Sequence, residues 1–365
     1  MNTASHEAPV PFTRRRFLKV GAAASLLGAS SFPALSAAAE SVPRRTRPIA
    51  PGAKIRLAFV GLGGMGKQQV ERFLQTGAAV PAAFCDVDWR PDAGARNAAT
   101  LIKTHPDVPR YFDFRKMLQE RHAEIDAVCV ATPDHMHFLP AYMAMLMGKH
   151  VFVEKPLTQT VWEARELLAL ARKTGLCTQM GNLGHSNEGV RRLKEWVQAG
   201  LIGSVREVHV WTNRPSWPQG MNFLPLPEPV PPGLDWDLYL GRSKVTGYNK
   251  GAYPYTWRGW RQFGTGALGD MGCHTLDGAF FALDLDAPTA VSATAQKPTE
   301  FCYPLQAVVT YEFPARGSRP PVTLRWYEGS ASPSRPEELP TTRAMPESGH
   351  LFIGDKGKIM DSTDK

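Results

Sequence analysis

The first residues able to do chemistry are Gly61-Leu62-Gly63-Gly64-Met65-Gly66, a G-x-G-x-x-G spacing directly after the apolar run Lys54–Val60. A helical pattern through Phe73 follows. Between a buried strand and a helix this loop predicts a dinucleotide site. Gly61 allows the tight turn, Gly63 lets backbone approach a pyrophosphate, and Gly66 lets the helix pack on the strand. Leu62, Gly64 and Met65 complete the loop, whose helix N-terminus faces the negative charge. A second strand, Val80–Cys85, ends in Asp86, about 20 residues past the loop. A carboxylate there accepts hydrogen bonds from ribose hydroxyls and repels a 2′-phosphate, which favours NAD. Arg90 could instead meet a 2′-phosphate and keeps NADP open.

These residues need a frame. Ala127–Ala131 reads as the next buried strand, and His150–Val153 and Cys177–Met180 as further strands, alternating with helices that include Val161–Thr174. That alternation predicts a parallel, doubly wound sheet. Ligands of such sheets sit beyond the strands' C-terminal ends. Thr132, Pro133, His135, His137, Glu154, Lys155 and Asn182 fall there and are candidate cofactor contacts. His135 and His137 could also suggest a metal pair. No Cys or Glu at ligand spacing accompanies them, so no metal is predicted.

The chain has 365 residues, 43% hydrophobic and 21% charged, which predicts a globular body of two domains or one large one. That apolar content excludes disorder as a description of the whole chain. No polar-free apolar run reaches about 18 residues, which excludes a multi-pass membrane protein. The net charge is +8, of which residues 1–39 carry +3 (Arg14, Arg15, Arg16 and Lys19 against Glu7). Arg44, Arg45 and Arg47 carry +3 more, so the remaining body is nearly balanced and no nucleic-acid partner is expected. The 5 cysteines form no C-x-x-C and read as small buried hydrophobes. Residues 13–19 (T-R-R-R-F-L-K), a weakly apolar stretch and Ala37-Ala38-Ala39 resemble a twin-arginine (Tat) signal with Arg14 and Arg15 as the pair. The Tat export machinery is thus an expected partner, with cleavage near Ala39, a linker over 40–52, and a periplasmic or other extracytoplasmic destination. That route carries folded proteins, often with cofactor already bound.

From Ile55 to about Ile353 the chain resembles the Gfo/Idh/MocA oxidoreductases, such as glucose–fructose oxidoreductase and inositol 2-dehydrogenase. The motifs are the Gly61–Gly66 loop, A-T-P-D-H-M-H at 131–137, E-K-P at 154–156, G-N-L-G-H at 181–185 and G-A-L-G-D-M-G-C-H-T-L-D at 266–277. The resemblance implies an α/β fold: a Rossmann domain over 53–177, then a substrate domain over 178–365 with an open, mostly antiparallel sheet. It also implies a dimer or tetramer, and a cis peptide before Pro156. Relatives continue past the Gly354-Asp355-Lys356-Gly357 turn, which implies that the chain ends as a fragment.

The family's catalytic lysine, aspartate and histidine fall on Lys155, Asp270 and His274. Residue chemistry agrees. Asp270 and His274 are spaced i, i+4, one face of a helix. Oxidising a secondary alcohol needs a proton acceptor, which a histidine supplies, and a cation near the developing alkoxide. Asp270 can orient the imidazole or bind a neighbouring hydroxyl; Asp277 could share that face. The aromatic run Tyr253–Trp260 suits sugars, with Trp257 stacking and Arg258 fixing hydroxyls. Lys155, His185, Trp257, Arg258, Asp270 and His274 are the candidate substrate contacts. Residues 214–232 hold 7 prolines and read as a long loop.

The reading is an exported NAD(P)-dependent oxidoreductase acting on a secondary hydroxyl of a sugar, glycoside or cyclitol. Free nucleotide is scarce outside the cytoplasm, so a tightly held, self-recycled cofactor is expected. A redox-neutral NAD-dependent glycoside hydrolase or epimerase, or a non-catalytic sugar- or nucleotide-binding protein, is the alternative.

Overall fold

The computed structural model describes residues 48–93, 97–244, 247–252, 256–296 and 299–363. The leader expected over 1–39, with Arg14, Arg15 and Ala39, lies outside the described residues, as do residues 40–47 of the linker and Tyr253, Pro254 and Tyr255. In chain order the elements are β1 (Ile55–Val60), α1 (Met65–Gln75), β2 (Ala79–Cys85), α2 (Ala99–Thr104), β3 (Arg110–Tyr111), α3 (Phe114–Arg121), β4 (Ala127–Val130), α4 (Phe138–Leu146), β5 (His150–Glu154), α5 (Val161–Thr174) and β6 (Thr178–Gly181). Then come α6 (Glu188–Gln198), β7 (Val205–Trp211), α7 (Trp236–Leu240), α8 (Gly266–Thr275), α9 (Asp277–Leu283), β8 (Ala290–Ala295), β9 (Ala307–Phe313), β10 (Val322–Glu328), β11 (Gly349–Gly354) and β12 (Lys358–Ser362).

The first sheet is parallel throughout, in the order β3-β2-β1-β4-β5-β6. The chain reverses its direction of growth between β1 and β4, which opens a crevice at the strands' C-terminal ends. Apolar runs make the central strands β1, β2 and β4, because helices cover both faces. Leu57, Phe59, Phe84 and Cys129 are buried with Leu62 and Val70. Helix α5 shows its own local logic. Thr160 and Glu163 form a reciprocal capping box, and Gly175 ends the helix in the left-handed conformation.

The second sheet runs β12-β11-β7-β10-β9-β8, antiparallel except for the β7–β10 pair. Helices α6 and α9 back one face. Leu193, Val208, Val210, Leu283, Leu324, Trp326 and Phe352 fill the core between them. Strand β10 alternates as a half-covered strand must, with Val322, Leu324 and Trp326 inward. A third cluster of Trp236, Tyr239, Tyr248, Trp260 and Phe263 is contributed by the long connection between β7 and α8. All 5 cysteines are free; Cys85, Cys129 and Cys302 are buried, but Cys177 is exposed, contrary to the reading of it as a buried hydrophobe. Among the described residues no helix is long and apolar enough to cross a membrane.

Candidate active site

The glycine loop is built by close approach. Gly61 has φ 82°, and a Cβ there would sit 2.7 Å from the Ala131 carbonyl and the Thr132 nitrogen. At Gly66 a Cβ would come within 2.0 Å of the Gly61 oxygen, so helix α1 closes on the turn only without a side chain. Leu62 is buried beneath the loop, Gly63 is exposed above it, and Gly64, at φ 54°, precedes Met65, the first residue of α1. The Leu62 N–H donates to Asp86 Oδ2 at 2.6 Å, and Asp88 N–H donates to Asp86 Oδ1 at 2.9 Å. Burial pushes the Asp86 carboxyl up to about 6, although these N–H donors pull the other way. Arg90 is held by Asp88 through Nε at 2.8 Å and Nη2 at 2.7 Å. Its guanidinium is therefore already paired, which weakens its reading as a 2′-phosphate contact.

Two polar atoms fit a bound nucleotide. Thr132 Oγ1, past the end of β4, and Asn182 Oδ1, past the end of β6, are buried without a hydrogen-bond partner. A buried polar atom left unpaired is costly, so atoms orphaned at a ligand crevice point to a polar ligand edge. With the loop, they are the residues here that would hold NAD.

Lys155, following β5, reaches across to α8. Its Nζ donates to Asp270 Oδ1 and to the Asp270 carbonyl oxygen, both at 2.9 Å. Arg258 Nε donates to the same Oδ1 at 3.1 Å. Burial alone would raise the Asp270 carboxyl; the two cations outweigh it and hold the carboxyl below its usual value. One helical turn on, His274 is half-buried. Burial, helped by the Lys155 charge and opposed by Asp270, lowers it to about 4. At neutral pH it is an uncharged imidazole, able to accept a proton. The Lys155–Pro156 peptide is cis, as the resemblance implied. Trp257 and Arg258 share a short helical turn, the guanidinium lying 4.4 Å from the Trp257 ring centre. His185 Nδ1 lies 3.0 Å from Asp277.

Other candidates lie apart from this cluster. His135 is fully buried with its ring against Tyr239 and Phe263, and its Nε2 is 2.9 Å from the Tyr239 carbonyl. Burial lowers it to about 3. It packs the junction with the second half of the chain rather than lining the crevice. His137 bridges two loops, Nδ1 to the Pro156 carbonyl at 2.6 Å and Nε2 to the Thr132 carbonyl at 2.8 Å. Both histidines thus face carbonyls. Glu154 is buried and accepts a hydrogen bond from Gln69 of α1. Pro133 begins the short turn Asp134–Met136. Sequence reasoning missed Asp134. It is buried, accepts from Thr265 Oγ1 at 2.6 Å, and is pushed up to about 7 by burial, with the Asp270 charge adding. Its signal was available: a carboxylate two residues past Thr132, just beyond a strand end.

Residues 55–182 match the model of the oxidoreductase family with an NAD-binding Rossmann fold (Gfo/Idh/MocA). Residues 186–313 match that family's C-terminal alpha/beta domain. The chain belongs to this family, and its first half is an NAD-binding Rossmann domain. A glycosyl hydrolase family 109 protein of Saccharopolyspora erythraea is 34% identical over 208 residues, covering 53% of this chain and 44% of that protein. A second, from Streptomyces niveus, is 31% identical over 157 residues, covering 41% of this chain and 31% of that protein. The matches span less than half the length of these curated relatives. Among solved structures, the WlbA dehydrogenase of Bordetella pertussis, in complex with NADH and UDP-GlcNAcA, superposes with TM-score 0.59 at 17% identity, covering 86% of this chain and 81% of that one. GenD2 from gentamicin A biosynthesis, in complex with NAD, gives TM-score 0.59 at 21% identity, covering 88% of this chain and 74% of that one. At such identities these two show the shared fold.

Proposed function

We propose that this chain oxidises a secondary hydroxyl of a sugar, glycoside or cyclitol, and holds its NAD through repeated turnovers outside the cytoplasm. The observation that carries the reading is the Lys155–Asp270–Arg258 cluster with an uncharged His274 one turn away. Bound NAD supplies the hydride acceptor. His274 accepts the hydroxyl proton as the carbinol hydrogen leaves as hydride. Lys155 donates toward the oxygen where negative charge develops. Asp270, held ionised by two cations, keeps the Lys155 ammonium aimed and can accept from a neighbouring hydroxyl. Trp257 and Arg258 offer a ring face and a guanidinium to the rest of the sugar. A second reading, redox-neutral cleavage or epimerisation of a glycoside, is favoured by the family 109 names of the curated relatives.

One experiment tests export and cofactor retention together. The protein is purified from the extracytoplasmic fraction with no nucleotide added, denatured, and the released nucleotide identified by mass spectrometry. Near-stoichiometric NAD(H) is expected, and an Arg14/Arg15→Lys form should remain in the cytoplasm. An empty protein, or one whose location ignores the arginine pair, sinks the self-recycling, exported enzyme.

A further inference from the structure

Within the long connection between β7 and α8, the segment Gly233–Arg242 lies outside the Lys155–Asp270–Arg258 cluster, yet it is fastened to the first sheet at both of its ends. One end holds the loop after β2. Leu234 pairs with Asp88 in a short antiparallel bridge, and the Asp235 N–H donates to the Val87 carbonyl at 2.9 Å. Gly233, at φ 90°, lies against Arg90: a Cβ there would stand 2.8 Å from Cγ of that side chain. Val87 and Asp88 directly follow Asp86, the carboxylate that meets a ribose in this fold. The other end holds the loop after β4. His135 Nε2 donates to the Tyr239 carbonyl at 2.9 Å, Gly241 lies against Met136, and Arg242 Nε donates to the His135 carbonyl at 3.0 Å. Arg242 also binds Gln159 and, at 3.1 Å, Glu163 of α5. His135 stands three residues past Thr132, whose Oγ1 is orphaned in the crevice.

The span fits the gap. Strands β2 and β4 flank β1 and its glycine loop. They lie two strand spacings apart, about 10 Å, and the 5 residues of α7 rise about 7.5 Å. Asp235 caps that helix, its Oδ1 accepting from the Leu238 N–H at 3.0 Å. The segment is also held from behind. Leu234, Trp236 and Tyr239 are buried in the aromatic cluster with Phe263, and Val87 packs against it. The Trp236 and Tyr239 rings stack with centres 4.9 Å apart. Lifting the segment exposes these side chains, so the opening is costly and rare. A dinucleotide on the glycine loop lies between the two loops that the segment ties together. Anchors on both sides of that loop hold the crevice at a fixed width, which a junction between the two halves alone does not require.

We propose that Gly233–Arg242 is a strap that retains the dinucleotide: NAD enters and leaves only when the strap lifts from the loop after β2 or from the loop after β4. This rests on the reading, given above, of a cofactor kept through repeated turnovers, and it names the part of the chain that keeps it. The strap touches no reacting atom. It acts through the two loops that hold the nucleotide, and the buried Leu234, Trp236 and Tyr239 set how seldom it opens.

The test loads the full chain with NADH and chases it with excess NAD⁺. Loss of the bound-NADH fluorescence reads release, and equilibrium dialysis reads Kd. Leu234→Ala loosens the end at β2, and Arg242→Met the end at β4. Wild type is expected to release NADH slowly, over many minutes. In Leu234→Ala release should speed up roughly 10-fold or more, because a buried leucine no longer has to be exposed. Arg242→Met should speed it by a smaller factor and serves if the first variant misfolds. Kd should stay nearly unchanged in both, because a strap that gates entry and exit alike changes the two rates by one factor. Slow release that neither variant speeds up overturns the strap. So does faster release with a matching rise in Kd, which would make these residues ordinary supports of the site. Fast release from wild type instead removes the retained-cofactor reading, and the strap falls with it.

Discussion

Asp134 is a carboxyl that the fold works against. It is buried between the strand-end loop and the start of α8, with a single hydroxyl donor, Thr265, and it is raised from 3.8 to about 7. Because the folded value lies above the unfolded one, the native state binds more protons across that interval. The stability this contributes is complete below about 3.8 and is lost as pH rises through about 7. Asparagine keeps the acceptor for Thr265 and removes the charge. The stability of Asp134→Asn relative to wild type should therefore grow by roughly 2 kcal/mol between about pH 5 and about pH 8, read by urea denaturation. A pH-independent difference would mean that Asp134 does not titrate in this range. Legibility at this scale had a clear limit. The placement of Lys155 just past a strand, and of Asp270 and His274 in one helix, was readable because their neighbours in sequence mark a strand end and a helix face. His135 and Asp134 were not, since the order T-P-D-H-M-H does not say which way each side chain leaves a short turn. Asp134 turned toward α8, and His135 turned into the aromatic cluster.

At the scale of elements, the glycine loop shows what a single methyl group does. A Cβ at Gly66 meets a backbone oxygen of the same loop, which no rotamer change can relieve. Gly66→Ala should push α1 off the turn and weaken NAD binding at least about 100-fold by calorimetry, while Gly64→Ala meets open space and costs about 1 kcal/mol for its positive φ. Equal losses in the two variants would show that conformation, and not packing, governs the loop. A helix with a strong period was legible to the residue: α5 spans Val161–Thr174, as the sequence predicts. Strand β8 was not. All six of its residues are exposed, so no alternation of apolar and polar side chains marks it, and β-pairing to β9 alone defines it. Strand β3, two residues long, carries no period at all.

The two sheets meet through the candidate site. Lys155 binds Asp270, Asp134 binds Thr265, and the His135 N–H donates to the Phe263 carbonyl at 3.1 Å. Gln159 donates to the Arg261 and Gly264 carbonyls, and Arg242 pairs with Glu163 at 3.1 Å. These links place candidate catalytic groups from both halves side by side, so misplacing either half should also misplace the other. NAD would touch the first half, through the loop, Asp86, Thr132 and Asn182, yet the bonds from Lys155 and Asp134 carry its ordering to α8. Nucleotide at 100 times its Kd should stabilise the native state by about 2.7 kcal/mol. With the halves coupled, that gain should appear as a single upward shift of one cooperative thermal transition. Hydrogen exchange should slow in α8 as well as in the loop. Two transitions, with nucleotide moving only the first and leaving exchange in α8 unchanged, would mean that the halves unfold separately. Lys155 and Asp270 would then be brought together by substrate instead of being held in place before it arrives.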